Sequence, residues 1–95
     1  MKLRWLRSAS ESLKRHIDFI ASQNPVAARH VRRTIRDAVR RLCEFPESGR
    51  HGHIAGTREL IVVALPYVVV YRISSRTVEI LLVLHTAMNR PSSGH

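Results

Sequence analysis

From residue 8 onward the hydrophobic period of this chain changes once, near residue 57, and few folds accommodate both halves. Before that point apolar residues recur at helical spacing. Leu13, Ile17 and Ile20 form one stripe, with Lys14, Arg15 and Asp18 turned away from it. Ala28, Val31, Ile35, Ala38 and Leu42 form a second, widened by Val39. After that point the period is two. The segments TRELIVVAL, PYVVVYRI and TVEILLVLH are rich in β-branched residues and are separated by Leu65-Pro66 and by SSR. Turns that short predict antiparallel neighbours. KLRWL (Lys2 to Leu6) alternates polar and apolar and reads as one more short strand.

The resulting expectation is a single α+β domain over residues 1–95. It comprises an N-terminal strand (1–6), a helical hairpin (8–45), a three-stranded antiparallel meander (57–85) packed as one sheet against the helices, and a loose tail (86–95). Ser8 with Glu11 predicts a capping box at the first helix. Asn24-Pro25 suits the start of the second, and Phe45-Pro46 its end.

Charge bounds the partners. Sixteen Lys and Arg oppose seven Asp and Glu, for a formal net charge of +9, and all but Lys2 and Lys14 of these cations are arginine. Guanidinium groups bind carboxylates and phosphates through a planar fork, so an anionic partner is expected, either nucleic acid or an acidic protein. Cys43 is the only cysteine, which rules out an internal disulfide and suits a reducing compartment. It looks buried at the helix end. The first residues, MKLRWLRSASES, lack the apolar run of a secretory signal, and no apolar stretch is long enough to span a bilayer. A cytoplasmic chain without membrane contact is expected.

Between the helical and alternating halves lies FPESGRHGHIAGTRELIV. His51 and His53 lack the further ligands a zinc site needs, and no GK[ST] follows the glycines, so neither a metal, a phosphate loop nor a cofactor is expected. Gly49 and Gly56 read as turn residues in a connector, with Arg50 and Arg58 as possible contacts. Arg29, Arg33, Arg36 and Arg40 lie nearly opposite the apolar stripe of the second helix. They read equally as a nucleic-acid footprint or as a solvated face. Tyr67 and Tyr71 share one strand face and read as core residues with a polar tip. His85 closes an apolar strand. Beside Arg58 and Arg72 it would be a general acid or base for RNA cleavage, but by residue type it reads first as a hydrogen-bonded histidine at the core margin.

Taken in order, Asn24-Pro25 with Ala28, Phe45-Pro46 with Gly49-Arg50, the run Gly56 to Leu60, Pro66-Tyr67 with Tyr71-Arg72, and Ile80 to His85 resemble the ParE branch of the RelE/ParE toxins of bacterial toxin–antitoxin modules. The resemblance covers nearly the whole chain. It implies the fold already expected and a cognate antitoxin whose disordered, acidic C-terminal segment folds over the toxin. ParE members inhibit DNA gyrase; RelE members cleave messenger RNA on the ribosome. Apolar central strands, Tyr67 where the nucleases tend to offer an arginine, and the lack of lysine after Lys14 favour the ParE branch, with no catalytic residues. His85 sits where some ribosome-dependent relatives place a catalytic histidine, which makes Arg58, Arg72 and His85 the alternative nuclease site. Candidates for antitoxin or target binding are Arg29, Arg33, Arg36, Arg40, Arg50, Arg58, Tyr67 and Tyr71. The antitoxin is expected on the concave surface between hairpin and sheet.

Overall fold

A computed structural model describes residues 1–87. The elements run β1 (Lys2–Trp5), α1 (Arg7–Ala21), α2 (Pro25–Arg41), β2 (Arg50–His51), β3 (Arg58–Ile61), β4 (Tyr67–Ser74) and β5 (Thr77–His85). The sheet order is β1-β5-β4-β3-β2. β3, β4 and β5 form the expected antiparallel meander, and β1 joins its far edge parallel to β5, with Lys2 opposite Thr77 and Trp5 opposite Ile80. The two-residue β2 lies inside the stretch read as a plain connector. The hairpin packs on one face of the sheet. Ile35 and Val39 of α2, Val69 and Tyr71 of β4, and Val78, Ile80 and Val83 of β5 are fully buried between the layers.

The capping box does not form. α1 begins at Arg7 behind Leu6, which offers no side-chain cap, and the Ser8 hydroxyl instead donates to the Leu81 carbonyl at 2.7 Å. The reason lies in β5. β1 pairs no further than Ile80, so beyond it, among the described residues, the outer edge of β5 has no strand beside it. An unpaired buried edge is costly, and α1 closes it with side chains. Ser12, itself buried, accepts from the Val83 amide at 3.0 Å and donates to the Ala9 carbonyl at 2.9 Å. His16 Nε2 lies 3.2 Å from the Val83 carbonyl, to which it donates. Ser8, Ser12 and His16 recur every four residues, so one helix face reads along the strand edge. α2 keeps its predicted start: Asn24 Oδ1 accepts from the Ala27 amide at 3.0 Å, and Pro25 occupies the first turn.

A β-bulge shifts the register between β4 and β5. Val70 pairs with Leu82 and Tyr71 with Ile80, leaving Leu81 as the extra residue. Tyr71 pins the connector from α2 to β2: its hydroxyl donates to the Pro46 carbonyl at 2.6 Å and accepts from the Gly49 amide at 2.9 Å. Gly49 is therefore not a turn glycine. A Cβ there would stand 2.6 Å from the Tyr71 hydroxyl and 3.0 Å from the Glu59 carbonyl, so close approach demands glycine. Gly56, at φ 82°, is a turn glycine as expected. Leu42 is buried, whereas Cys43 is only half-buried. Thr86 is tied down by the hydrogen bond that its amide donates to the Pro66 carbonyl at 2.8 Å, and the rest of the expected tail from residue 88 lies outside the described residues.

Ser12→Ala removes the one acceptor of a buried strand amide. It is expected to lower unfolding free energy by about 1–3 kcal/mol in urea titration. Unchanged stability would mean that α1 does not close the β5 edge.

Candidate functional site

Strand alternation sends half of the central strands away from the helices. On that open face Val68 and Val70 of β4 stand beside Leu84 and Leu82 of β5, their direct partners. These four side chains floor a groove of about 260 Å³, walled by His53, Ile54 and Thr57 and reaching His85 and Thr86 at the end of β5. Among the described residues no helix lies over this face, yet Val68 and Val70 are buried, sheltered by the loop between β2 and β3.

Charges flank the apolar floor on the same face. On one side Glu59, opposite Val70, receives Arg50 Nη2 at 3.0 Å and His53 Nδ1 at 3.0 Å. Burial works to raise the Glu59 pKa, but the His53 and Arg50 hydrogen bonds outweigh it and hold the carboxyl below its ordinary value. At the other end Arg72 of β4 donates to Glu79 at 2.6 Å, and Arg4 of β1 reaches the same carboxylate at 3.5 Å. Two guanidinium groups sharing one carboxylate leave that corner positive.

The expected site residues fall into separate places. Arg72 pairs with Glu79, six positions before His85 along β5, which is roughly 20 Å of strand. Arg58 points elsewhere, donating to the Gly49 carbonyl at 2.8 Å and the Glu47 carbonyl at 3.2 Å. Arg58, Arg72 and His85 thus do not converge on one reacting atom. His85 faces the helices, where its ring meets Tyr67 edge-on at 5.2 Å, with His16 at 6.4 Å. Tyr67 is buried in that cluster, and Tyr71 is spent on the connector. Burial pushes both phenols above their ordinary value, against the opposing Gly49 bond at Tyr71, so both stay neutral at pH 7. Among the described residues, no group of three or more His, Cys, Asp or Glu is placed to hold a metal.

The arginine stripe of α2 is exposed. Arg40 pairs with Asp37 at 3.4 Å, and Arg36 lies over the Trp5 ring, 5.7 Å from its centroid. Arg29 and Arg33 make no ion pair among the described residues. The stripe is not on a concave surface between hairpin and sheet, because that space is the hydrophobic core. The groove lies on the opposite face of the sheet, and the bulge at Leu81 hid it from sequence reading. Strict alternation would place Leu82 and Leu84 with Val78 and Ile80; the extra residue sends them to the other side.

The sequence profile described as "ParE toxin of type II toxin-antitoxin system, parDE" matches residues 3–90. The toxin-designated protein Y4kP of Sinorhizobium fredii is 42% identical over 90 residues, 95% of this chain and 93% of that protein. Toxin RelE2 of Caulobacter vibrioides is 35% identical over 83 residues, 87% of this chain and 92% of that protein. Among solved structures, a chain of the chromosomal ParDE TA system from P. aeruginosa superposes with a TM-score of 0.81 at 24% identity, over 90% of this chain and 95% of that one. That likeness speaks to the fold.

Burial holds the His16 imidazole below its ordinary 6.5, opposed by its bond to the Val83 carbonyl and reinforced by the nearby His85 and Arg15 charges. Its folded pKa is depressed, so the unfolded chain takes up the proton first. Its contribution is complete above the unfolded value and is lost as pH falls through the folded one. The thermal midpoint is expected to drop between about pH 7.5 and about pH 5, and His16→Gln to flatten that slope. An equally steep slope in the variant would assign it to other groups.

Proposed function

Because the chain belongs to the ParE toxin family of type II toxin–antitoxin systems, we propose that it works by binding rather than by chemistry: it inhibits DNA gyrase, stops replication, and is neutralised by a cognate antitoxin. The observation that carries this reading is the open sheet face. Its centre is an apolar floor of Val68, Val70, Leu82 and Leu84, a surface suited to apolar anchors of a protein partner. A nuclease would instead need an acid, a base and a phosphate-steadying cation around one point. Arg58, Arg72 and His85 do not supply that arrangement.

The antitoxin enters as a flexible acidic segment that orders on the toxin, which fits a small domain of formal net charge +9. Its apolar side chains occupy the groove. The exposed arginines of α2, Arg29, Arg33, Arg36 and Arg40, draw it in and set its orientation, and contribute more to association rate than to affinity. Arg50, with Glu59 and His53, forms part of the groove rim. Arg58, Tyr67 and Tyr71 act through the scaffold that holds the rim and floor in place. No cofactor is required for binding of this kind.

Purified antitoxin-free protein is expected to inhibit gyrase supercoiling in a dose-dependent way or to accumulate cleaved DNA. Folded protein without either effect on its host's gyrase would sink the target assignment. His85→Ala is expected to retain toxicity in cells; loss of toxicity with an intact fold would move the reading to messenger RNA cleavage. Reversing charge with Arg33→Glu and Arg36→Glu is expected to slow antitoxin association by about tenfold at low salt. An unchanged association rate would remove the arginine stripe from the encounter.

A further inference from the structure

Among the described residues the β1 edge of the sheet has no neighbour, and cations stand along it. β1 is terminal in the strand order. The Lys2 amide donates to the Arg76 carbonyl and the Leu6 amide to the Ile80 carbonyl, both toward β5. Parallel pairing alternates, so Lys2 and Arg4 direct their backbone groups inward. Leu3 and Trp5 direct theirs outward, two N–H and two C=O groups in register along the edge. The side chains alternate as well. Leu3 and Trp5 are half-buried against the core on the helix side. Lys2 and Arg4 are exposed on the open side, where Arg4 shares Glu79 with Arg72. Arg36 of α2 caps the Trp5 ring and so joins the arginine stripe to this edge.

We infer that β1 receives an acidic, extended peptide segment as a sixth strand. The partner's residues alternate: apolar ones lie beside Leu3 and Trp5, acidic ones beside Lys2 and Arg4. Charge selects the occupant. Cations on an edge strand repel a second copy of the same chain, and the same cations attract a carboxylate-bearing strand. Backbone hydrogen bonds then supply affinity, and the alternating side-chain positions supply specificity. This inference rests on the proposed antitoxin partnership and assigns a second attachment point to it, on the opposite edge of the sheet from Arg50 and His53.

Trp5 is the only tryptophan, so its fluorescence reports on the edge directly. The probe is a synthetic heptapeptide of alternating Glu and Val, titrated into the intact protein, with a Lys and Val peptide as control. The Glu peptide is expected to shift Trp5 emission and to slow hydrogen exchange at the Leu3 and Trp5 amides, with affinity falling as salt rises. Leu3→Pro deletes one outward amide and leaves the inward bonds intact, as edge strands tolerate. Leu3→Ala removes the same side chain and keeps the amide. The proline variant is expected to bind about tenfold more weakly than the alanine variant.

Equal affinities for the two variants, binding without protection of Leu3 and Trp5, or no binding of the Glu peptide would each overturn strand addition. A Trp5 signal that grows with protein concentration alone would mean self-pairing and would overturn it too. Supercoiling inhibition is measured on the same preparation. Gyrase inhibition with an unprotected edge would defeat this inference alone, and a protected edge without inhibition would defeat the target assignment alone.

Discussion

The grip of α1 on the backbone of Val83 organises the molecule. β1 is too short to cover β5, and the Val83 amide and carbonyl face away from β4 into the helical layer. Ser12 and His16 satisfy them, and the Ser8 hydroxyl donates to the Leu81 carbonyl. Polar side chains on the buried face of a helix are ordinarily a liability. Here they make the bonds to β5 that a neighbouring strand would make. Fixing α1 against β5 fixes the hairpin, since α2 packs on α1, and so fixes where the arginines of α2 stand relative to Trp5.

The two faces of the sheet have different duties. The helix side is closed, apolar and pinned at its margins by Tyr71 and by the ring cluster of His16, Tyr67 and His85. The open side holds an apolar floor between a Glu59 cluster and a Glu79 cluster. Each carboxylate there is engaged by two cationic side chains, with His53 counted among them when protonated. The acids are thereby occupied and arginine donors remain. A face built this way favours an amphipathic, negatively charged protein segment over a metal or a small polar substrate.

The layer order and most element boundaries were legible because they rest on period and on local turn chemistry. Asn24-Pro25 starts a helix wherever it occurs in such a context, and Pro66 breaks an apolar run whatever surrounds it. Failures came where a distant backbone atom competed for a side chain. Ser8 and Glu11 fit a capping box, and only the fold shows that a β5 carbonyl claims Ser8. Gly49 looks like any loop glycine until Tyr71, twenty-two residues on, is brought against it. The groove was hidden by one extra residue, Leu81, because alternation counts residues and a bulge miscounts them. Grouping Arg58, Arg72 and His85 failed for a related reason: neighbouring strands did not mean neighbouring strand ends.

The parallel ladder between β1 and β5 joins the second residue of the chain to the seventy-seventh. A contact of that sequence separation carries a large loop-closure cost and forms after the local ones. While the chain is being synthesised, β1 has no template until β5 has left the ribosome. The hairpin and the β3–β4 pair can assemble earlier, but α1 has no edge to close and the apolar floor lacks its β5 half. Both surfaces assigned to partners, the groove and the β1 edge, therefore come into being together, once β5 has formed. A chain cut before β5 offers neither.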